Sequence, residues 1–253
     1  MSKTNTIITI GREFGSGGHE IGERLSEKLE IPFYDKEMLD RASKDSGIAE
    51  ELLKAHDEKP TSSFLYSLVM DTYSLGYKSG SYSDMPINHK IFLAQFDAIK
   101  KLAEEGPCIL IGRCADYALE DYRNVLSVFI HADTVKRAKR ISRMYDMTEA
   151  KAKEMIIKTD KKRGSYYNYY TNKKWSAVQS YDVCLDSGKL GIDGCVDAII
   201  EIVKIKEATK KAVLQELLFT SSLVSRTGQP SIFPFIIAVN MRCFAPGWSS
   251  SSW

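Results

Sequence analysis

Residues 7–22, IITIGREFGSGGHEIG, join an apolar segment to a helix through a turn rich in glycine, and this join constrains the fold more than any other stretch. Ile7, Ile8 and Ile10 read as a buried strand. Gly11, Gly15, Gly17 and Gly18 let the backbone take positive φ and approach a ligand closely. From His19 to Leu29 the apolar positions Ile21, Leu25 and Leu29 recur at the four-residue spacing of a helix face. Unsatisfied amides at the start of that helix, together with its dipole, favour an anion at the turn. Phosphate is the natural guest, with Gly11, Gly15, Ser16, Gly17, Gly18 and His19 as its expected binding residues. The alternative at this point is a glycine-rich strand–helix turn that holds no nucleotide.

The turn departs from the full phosphate-binding pattern GxxxxGK[ST]. Gly18 stands where that pattern has its lysine, and neither His19, directly after it, nor Glu20 carries the magnesium-binding hydroxyl. Arg12, His19 or a basic residue from another part of the chain could supply the missing charge, and the sequence does not distinguish them.

Composition narrows the class. With 253 residues the chain can bury a substantial core, and 35 basic against 33 acidic residues leave no global field that favours nucleic acid. Five cysteines, at 108, 114, 184, 195 and 243, include no CxxC pair, so neither a disulfide framework nor a zinc site is expected. The segment MSKTNT leads directly into the first strand, no apolar run has the length of a membrane span, and a cytoplasmic location is expected.

The remaining elements alternate. Short apolar strands are predicted at 31–34, 108–111, 125–130 and 181–185, with helices at 36–46, 91–105 and 192–206. Residues 56–90, rich in Ser, Tyr, Gly and Pro, read as an insertion. Strands separated by helices imply crossovers and a mostly parallel sheet, whose ligands gather at the carboxyl ends of the strands. Those ends carry the glycine turn, Asp35 and Gly112-Arg113. A carboxylate and a guanidinium beside an anion-binding turn suit phosphoryl transfer: Asp35 to hold magnesium or orient an attacking phosphate, Arg113 to grip a phosphate bidentately. A structural ion pair at the sheet rim is the plainer alternative. Further on, Lys136, Arg137, Lys139, Arg140 and Arg143 share a helix, and Asp160-Lys-Lys-Arg163 precedes SYYNYYTNKKW. This basic, tyrosine-rich stretch reads as a lid closing over transferring phosphates, or less favourably as a stacking platform for single-stranded nucleic acid.

Seven blocks in order then carry a resemblance: TIGREFGSGG at 9–18, PFYDKEML at 32–39, SFLYSLVM at 63–70, LAEEGPCILIGRCADYAL at 102–119, VFIHAD at 128–133, the DKKR segment with its tyrosines at 160–170, and YDVCLDSGKLGI at 181–192. Over roughly residues 6–204 the chain resembles the cytidylate kinase-like family within the P-loop nucleoside monophosphate kinases. The resemblance implies an α/β, three-layer P-loop kinase fold with a parallel five-stranded sheet, a helical acceptor-binding insertion at about 47–90 and a lid at about 158–176. Residues 1–206 would form that domain, and 207–253 an extension of unknown role. It also implies ATP as phosphoryl donor, Mg²⁺ as cofactor, and CMP or a related nucleoside monophosphate as acceptor.

Residue by residue, the resemblance gives Asp35 as the acidic residue ending the second strand and Arg41 as an arginine on the acceptor phosphate. Arg113 falls in the acceptor site, where Cys114 replaces a following aspartate and Asp116 lies two residues beyond. Asp160 and Arg163 match lid residues, and Arg137 and Arg140 match basic residues that bind nucleotide phosphates. The catalytic set expected is therefore Asp35, Arg163 and Arg12, with Arg41, Arg113 and Asp116 for the acceptor. A nucleotide-binding sensor without turnover is the second reading, and an RNA-binding module the third.

Overall fold

The computed structural model of the protein describes residues 4–35, 37–58 and 86–227. Most of the insertion expected at 56–90, including the SFLYSLVM block, and the extension beyond residue 227 lie outside the described residues.

Five strands, β1 (Ile7–Arg12), β2 (Phe33–Tyr34), β3 (Ile109–Ile111), β4 (Val125–His131) and β5 (Val183–Asp186), form one sheet in the order β2-β3-β1-β4-β5. Every pairing is parallel, with Ile8 opposite Ile109 on one side and Leu126 on the other. The helices are α1 (Gly18–Leu29), α2 (Glu37–Ser46), α3 (Glu50–His56), α4 (Ile87–Glu105), α5 (Ala115–Ala118), α6 (Thr134–Met144), α7 (Glu149–Thr171) and α8 (Ser187–Thr227). This helix-flanked parallel sheet is the P-loop kinase architecture expected from the sequence. The chain divides into two compact units, residues 1–201 and 202–253. Described residues of the second unit are helical up to Thr227.

Central strands carry near-continuous apolar residues because both faces are covered: Ile7, Ile8, Ile10, Ile109, Leu110, Ile111, Val128 and Ile130 are all buried. Three further packing centres locate the site. Phe92 and Tyr170 stack with centroids 4.0 Å apart, within a cluster that adds Cys114, Phe129, Tyr166, Tyr167 and Tyr181. Ala138 and Ile141 of α6 pack on Ala152 and Ile156 of α7, with Phe14 of the glycine turn against them. Ala42, Leu53, Ile91, Ala94 and Ala98 join α2, α3 and α4.

Several boundaries moved from expectation. β2 shortens to Phe33–Tyr34 because Pro32 has no amide to donate and the Ile31 amide turns back to Ser26 O. The helix expected from 91 starts at Ile87. The helix expected from 192 starts at Ser187 and passes through a break at Gly191, where φ is 71°. The segment expected to be a separate lid is the second half of one helix, α7, which starts at a cap where the Thr148 side chain accepts from Lys151 N. Its first half faces α6, and its second half turns tyrosines into the aromatic cluster.

Candidate functional site

β1 ends in Gly11-Arg12, and the chain then turns through Glu13 to Gly17 into α1. Gly15 and Gly17 take φ of 82° and 83°, the left-handed region that the turn requires. Ser16 closes on Glu13 through its amide (3.3 Å) and its hydroxyl (2.9 Å). The amides of Gly15, Gly17, Gly18 and His19 donate to no described residue, so N–H groups without a described acceptor gather at the start of α1, where the sequence reading expects an anion.

Arginines surround this turn, but they divide by task. Arg137 is buried, and its guanidinium is committed to protein: Nε donates to Ala132 O (2.9 Å), and Nη1 to Phe14 O (3.2 Å) and Asp160 Oδ2 (2.6 Å). Asp160 Oδ1 in turn accepts from Phe14 N at 2.7 Å. Arg137 and Asp160 thus grip the turn's backbone from behind. Arg140 lies over Gly17 and pairs with Glu20. The Arg140 hydrogen bond leads the causes that hold the Glu20 carboxyl below its usual range. The Glu20 carboxylate is therefore tied up with Arg140 and Arg24.

Arg12, Arg113 and Arg163 point to a common centre at the carboxyl ends of β1 and β3. Arg12 crosses Gly18 and reaches Gly112, and its Nη1 lies 3.5 Å from Glu58 Oε1. Gly112, Arg113 and Cys114 all take positive φ (71°, 51° and 57°), and this turns Arg113 back toward the strand it follows. Two consecutive non-glycine residues in that region store backbone strain, as active-site segments often do. Arg113 Nη1 donates to Asp35 Oδ1 (2.8 Å), while Nε and Nη2 form a fork onto Asp57 (3.2 and 2.9 Å). Arg163 Nη1 donates to Arg12 O at 3.3 Å, and its Nε lies 3.6 Å from Glu58 Oε2. Burial, then the like charge of Arg12, lowers Arg163 to about 10. Burial would raise the Glu58 carboxyl, but Arg12, Arg163 and Arg113 outweigh it and bring it down to about 2. Asp35 follows the same logic: burial opposes ionisation, and Arg113, Arg12 and His19 overcome it. His19 is exposed and reaches Asp35 Oδ2 at 3.3 Å.

A cleft opens beside this centre, lined by Gly11, Arg12, Glu58, Gly112, Arg113, Cys114, Asp116, Arg163, Tyr166, Tyr167, Trp175 and Tyr181. Asp116 accepts from Tyr167 Oη at 2.6 Å, and burial raises its carboxyl above the ordinary range despite that bond. The structure thus brings Arg12, Asp35, Arg113, Asp116 and Arg163 together. Arg41 stands apart: it pairs with Glu105 (2.8 Å) and Asp45 (3.3 Å). Glu105 ends α4 just before β3, at the other end of that strand from Arg113. The phase of α2 turns Arg41 toward these two carboxylates. Tyr166, Tyr167 and Tyr170 are buried in the aromatic cluster, so they offer no open faces for stacking bases. Sequence reasoning missed Asp57 and Glu58. The only signal was an acidic pair ahead of Lys59-Pro60, and nothing local ties it to arginines 46 to 105 residues away.

Comparison with known proteins gives the family and the fold. A cytidylate kinase of Methanococcus vannielii is 26% identical over 202 residues, covering 78% of this chain and 99% of that protein. A crystal structure of an uncharacterized protein from Eubacterium ventriosum superposes with a TM-score of 0.59 at 32% identity, covering 79% of this chain and 98% of that one. The family pattern described as cytidylate kinase-like matches residues 7–189, from the first residue of β1 past the end of β5, and with it the glycine turn and all three converging arginines; the chain belongs to the cytidylate kinase-like family.

Proposed function

We propose that the protein is an ATP-dependent phosphotransferase of the nucleoside monophosphate kinase type, moving the γ-phosphoryl group of ATP to CMP or a related small phosphate acceptor. The observation that carries this reading is the convergence of Arg12, Arg113 and Arg163 with Asp35 beside the unpaired amides of the glycine turn. Phosphoryl transfer is mostly positioning and charge stabilisation, so what a site must supply is donors for the phosphates and cations for the charge in flight. The amides of Gly15 to His19 would hold the donor phosphates, with Arg140 at their edge. Arg113 would grip the acceptor, and Arg12 and Arg163 would face the transferring group in place of the loop lysine. Asp116, with Tyr167, would bound the far side of the acceptor pocket.

Magnesium takes most of its ligands from phosphate oxygens and water and asks the protein for one or two carboxylates. Among the described residues no group of three or more His, Cys, Asp or Glu forms a cage for a metal. Asp35, an ionised carboxylate at the rim of the cleft, fits the lesser demand. Bound there with ATP, the ion would neutralise charge on the donor phosphates.

The test is ATP turnover against a panel of nucleoside monophosphates. Arg12→Ala and Arg163→Ala should each lower turnover by 10²-fold or more, on the order of 3 kcal/mol of transition-state stabilisation, with Arg163→Ala sparing ATP affinity more. Loss of neither activity would remove both residues from the chemistry. Gly18 in the lysine position, with no hydroxyl residue at 19 or 20, favours one competing reading: a sensor that binds nucleotide without turnover. ATP binding with no transfer to any acceptor in the panel would establish that reading instead.

A further inference from the structure

The centre of the arginine cluster is already filled by the chain itself. Glu58 lies there, its side chain 13% exposed, with one carboxylate oxygen facing Arg12 at 3.5 Å and the other facing Arg163 at 3.6 Å. Both distances are long for charge-assisted hydrogen bonds, which run about 2.7–2.9 Å. Arg163 Nε is buried and has no hydrogen-bond partner among the described residues, so a donor aimed at the centre remains unsatisfied around the carboxylate. A planar, two-oxygen group is too small for this cage. A tetrahedral oxyanion, with more oxygens and a larger radius, would reach donors that Glu58 does not.

Charge points the same way. Arg12, Arg113 and Arg163 face Asp35, Asp57 and Glu58, and the six charges cancel. Withdrawal of Asp57 and Glu58 would leave the three arginines against Asp35 alone, a surplus of two positive charges, which is the complement of a phosphate dianion. The backbone is also poised for the change: Glu58 has φ of 52°, a left-handed conformation that a residue with a side chain holds only under constraint. The acidic pair follows directly on α3, a helix of seven residues, so a short segment carries both carboxylates.

We propose that Glu58 is a built-in stand-in for substrate phosphate: its carboxylate occupies an oxyanion site made by Arg12, Arg113 and Arg163, and a phosphate-bearing ligand enters by displacing Asp57 and Glu58. The arginines are thereby kept neutralised and ordered in the empty enzyme, and the acceptor must compete for them. The kinase reading above supplies only the identity of the ligand; the competition between carboxylate and oxyanion stands without it.

Inorganic phosphate is the probe, titrated calorimetrically without ATP into the full chain and into its Glu58→Gln and Asp57→Asn variants. Glu58→Gln removes the competing charge and should bind phosphate at least tenfold tighter than the wild-type protein, and adding Arg163→Ala to it should abolish the gain. Weaker or equal binding by Glu58→Gln, or no phosphate binding by any of the proteins, overturns the proposal. Hydrogen exchange on the wild-type protein provides a check that needs no substitution. Saturating phosphate should speed exchange across residues 50–58, and unchanged or slower exchange there overturns the displacement. Neither readout involves turnover, so an inactive protein that passes both would refute the kinase reading and leave the oxyanion site in place.

Discussion

Arg137→Met is expected to cost about 3 kcal/mol of folding stability and to loosen the glycine turn, because the Arg137 guanidinium is bonded to the turn and to Asp160. The magnitude comes from its contacts. Its side chain is 6% exposed, and that of its partner Asp160 is 16% exposed. Nη1 bridges Asp160 and the Phe14 carbonyl, while Asp160 holds the Phe14 amide, so the turn is clamped through both backbone groups of one residue. Removing one member of a buried pair typically costs about 3–5 kcal/mol, because the other is left desolvated and uncompensated. Water reaches Asp160 and the Phe14 amide still pairs with it, which places the cost at the low end. Asp160→Asn keeps an acceptor for Phe14 and removes the charge, for about 2 kcal/mol. In the double variant neither group is orphaned, so the two effects should not add, and the coupling should be about 2 kcal/mol. Urea denaturation of the four proteins at 25 °C measures the cycle, and ATP affinity of the folded variants reads the turn. A cost below about 1 kcal/mol for Arg137→Met, or coupling below about 0.5 kcal/mol, would refute the clamp.

Three further outcomes are expected. Gly17→Ala should destabilise by about 2 kcal/mol or more, since φ is 83° and the new Cβ overlaps Ile192; pairing it with Ile192→Ala should recover the overlap but not the backbone cost, as denaturation of the double variant would show. Glu58 is depressed from 4.5 to about 2, so its contribution, at most about 3 kcal/mol, is complete above about pH 4.5 and lost as the pH falls toward 2; acid titration of stability should have a shallower limb in Glu58→Gln, and an unchanged limb would contradict the buried ion cluster. Asp116 is raised, so its ionisation opposes the fold as the pH rises above 3.8; Asp116→Asn, which preserves an acceptor for Tyr167, should be more stable than wild type at pH 7 and lose that advantage toward pH 4, and destabilisation at pH 7 would show that the charge is used.

Local pattern carried the sheet and the turn. Ile7, Ile8 and Ile10 read as a buried strand, and the glycines after them as a tight turn, because both properties belong to residues adjacent in the chain. The same holds for Asp35 and Arg113, which sit at strand ends and are therefore placed by the topology alone. Arg41 was not legible in this way. Its position on α2 is fixed by helical phase, and that phase directs it to Glu105 and Asp45 rather than to the cleft. Arg137 looks in sequence like any other cation of a basic helix, yet it is the buried one, because α6 meets both the turn and α7 along that face. The tyrosines at 166, 167 and 170 follow the same rule: their spacing fits a helix face, but only the packing of α7 on α4 reveals that the face is core. Long-range pairings such as Glu58 with Arg163 leave no mark in either segment.

The glycine at position 18 acquires its meaning from Arg12. A Cβ at Gly18 would lie 2.7 Å from Arg12 Cβ and 3.1 Å from Arg12 Cγ, closer than carbon atoms approach. The stem of a lysine at 18 and the stem of an arginine at 12 therefore compete for one space, and this chain has given it to the arginine. The exchange moves the cation from a loop to a strand end, where Arg12 is held by pairing with Ile130 across the sheet. From there its guanidinium passes Gly112, which has no side chain to obstruct it, and reaches the centre shared with Arg113 and Arg163. A lysine at 18 would displace the Arg12 stem from the space it now fills. On the kinase reading, the departure from the GxxxxGK[ST] pattern is thus a relocation of positive charge, and Glu20 is consistent with it, since that carboxylate neutralises Arg140 at the mouth of the same turn.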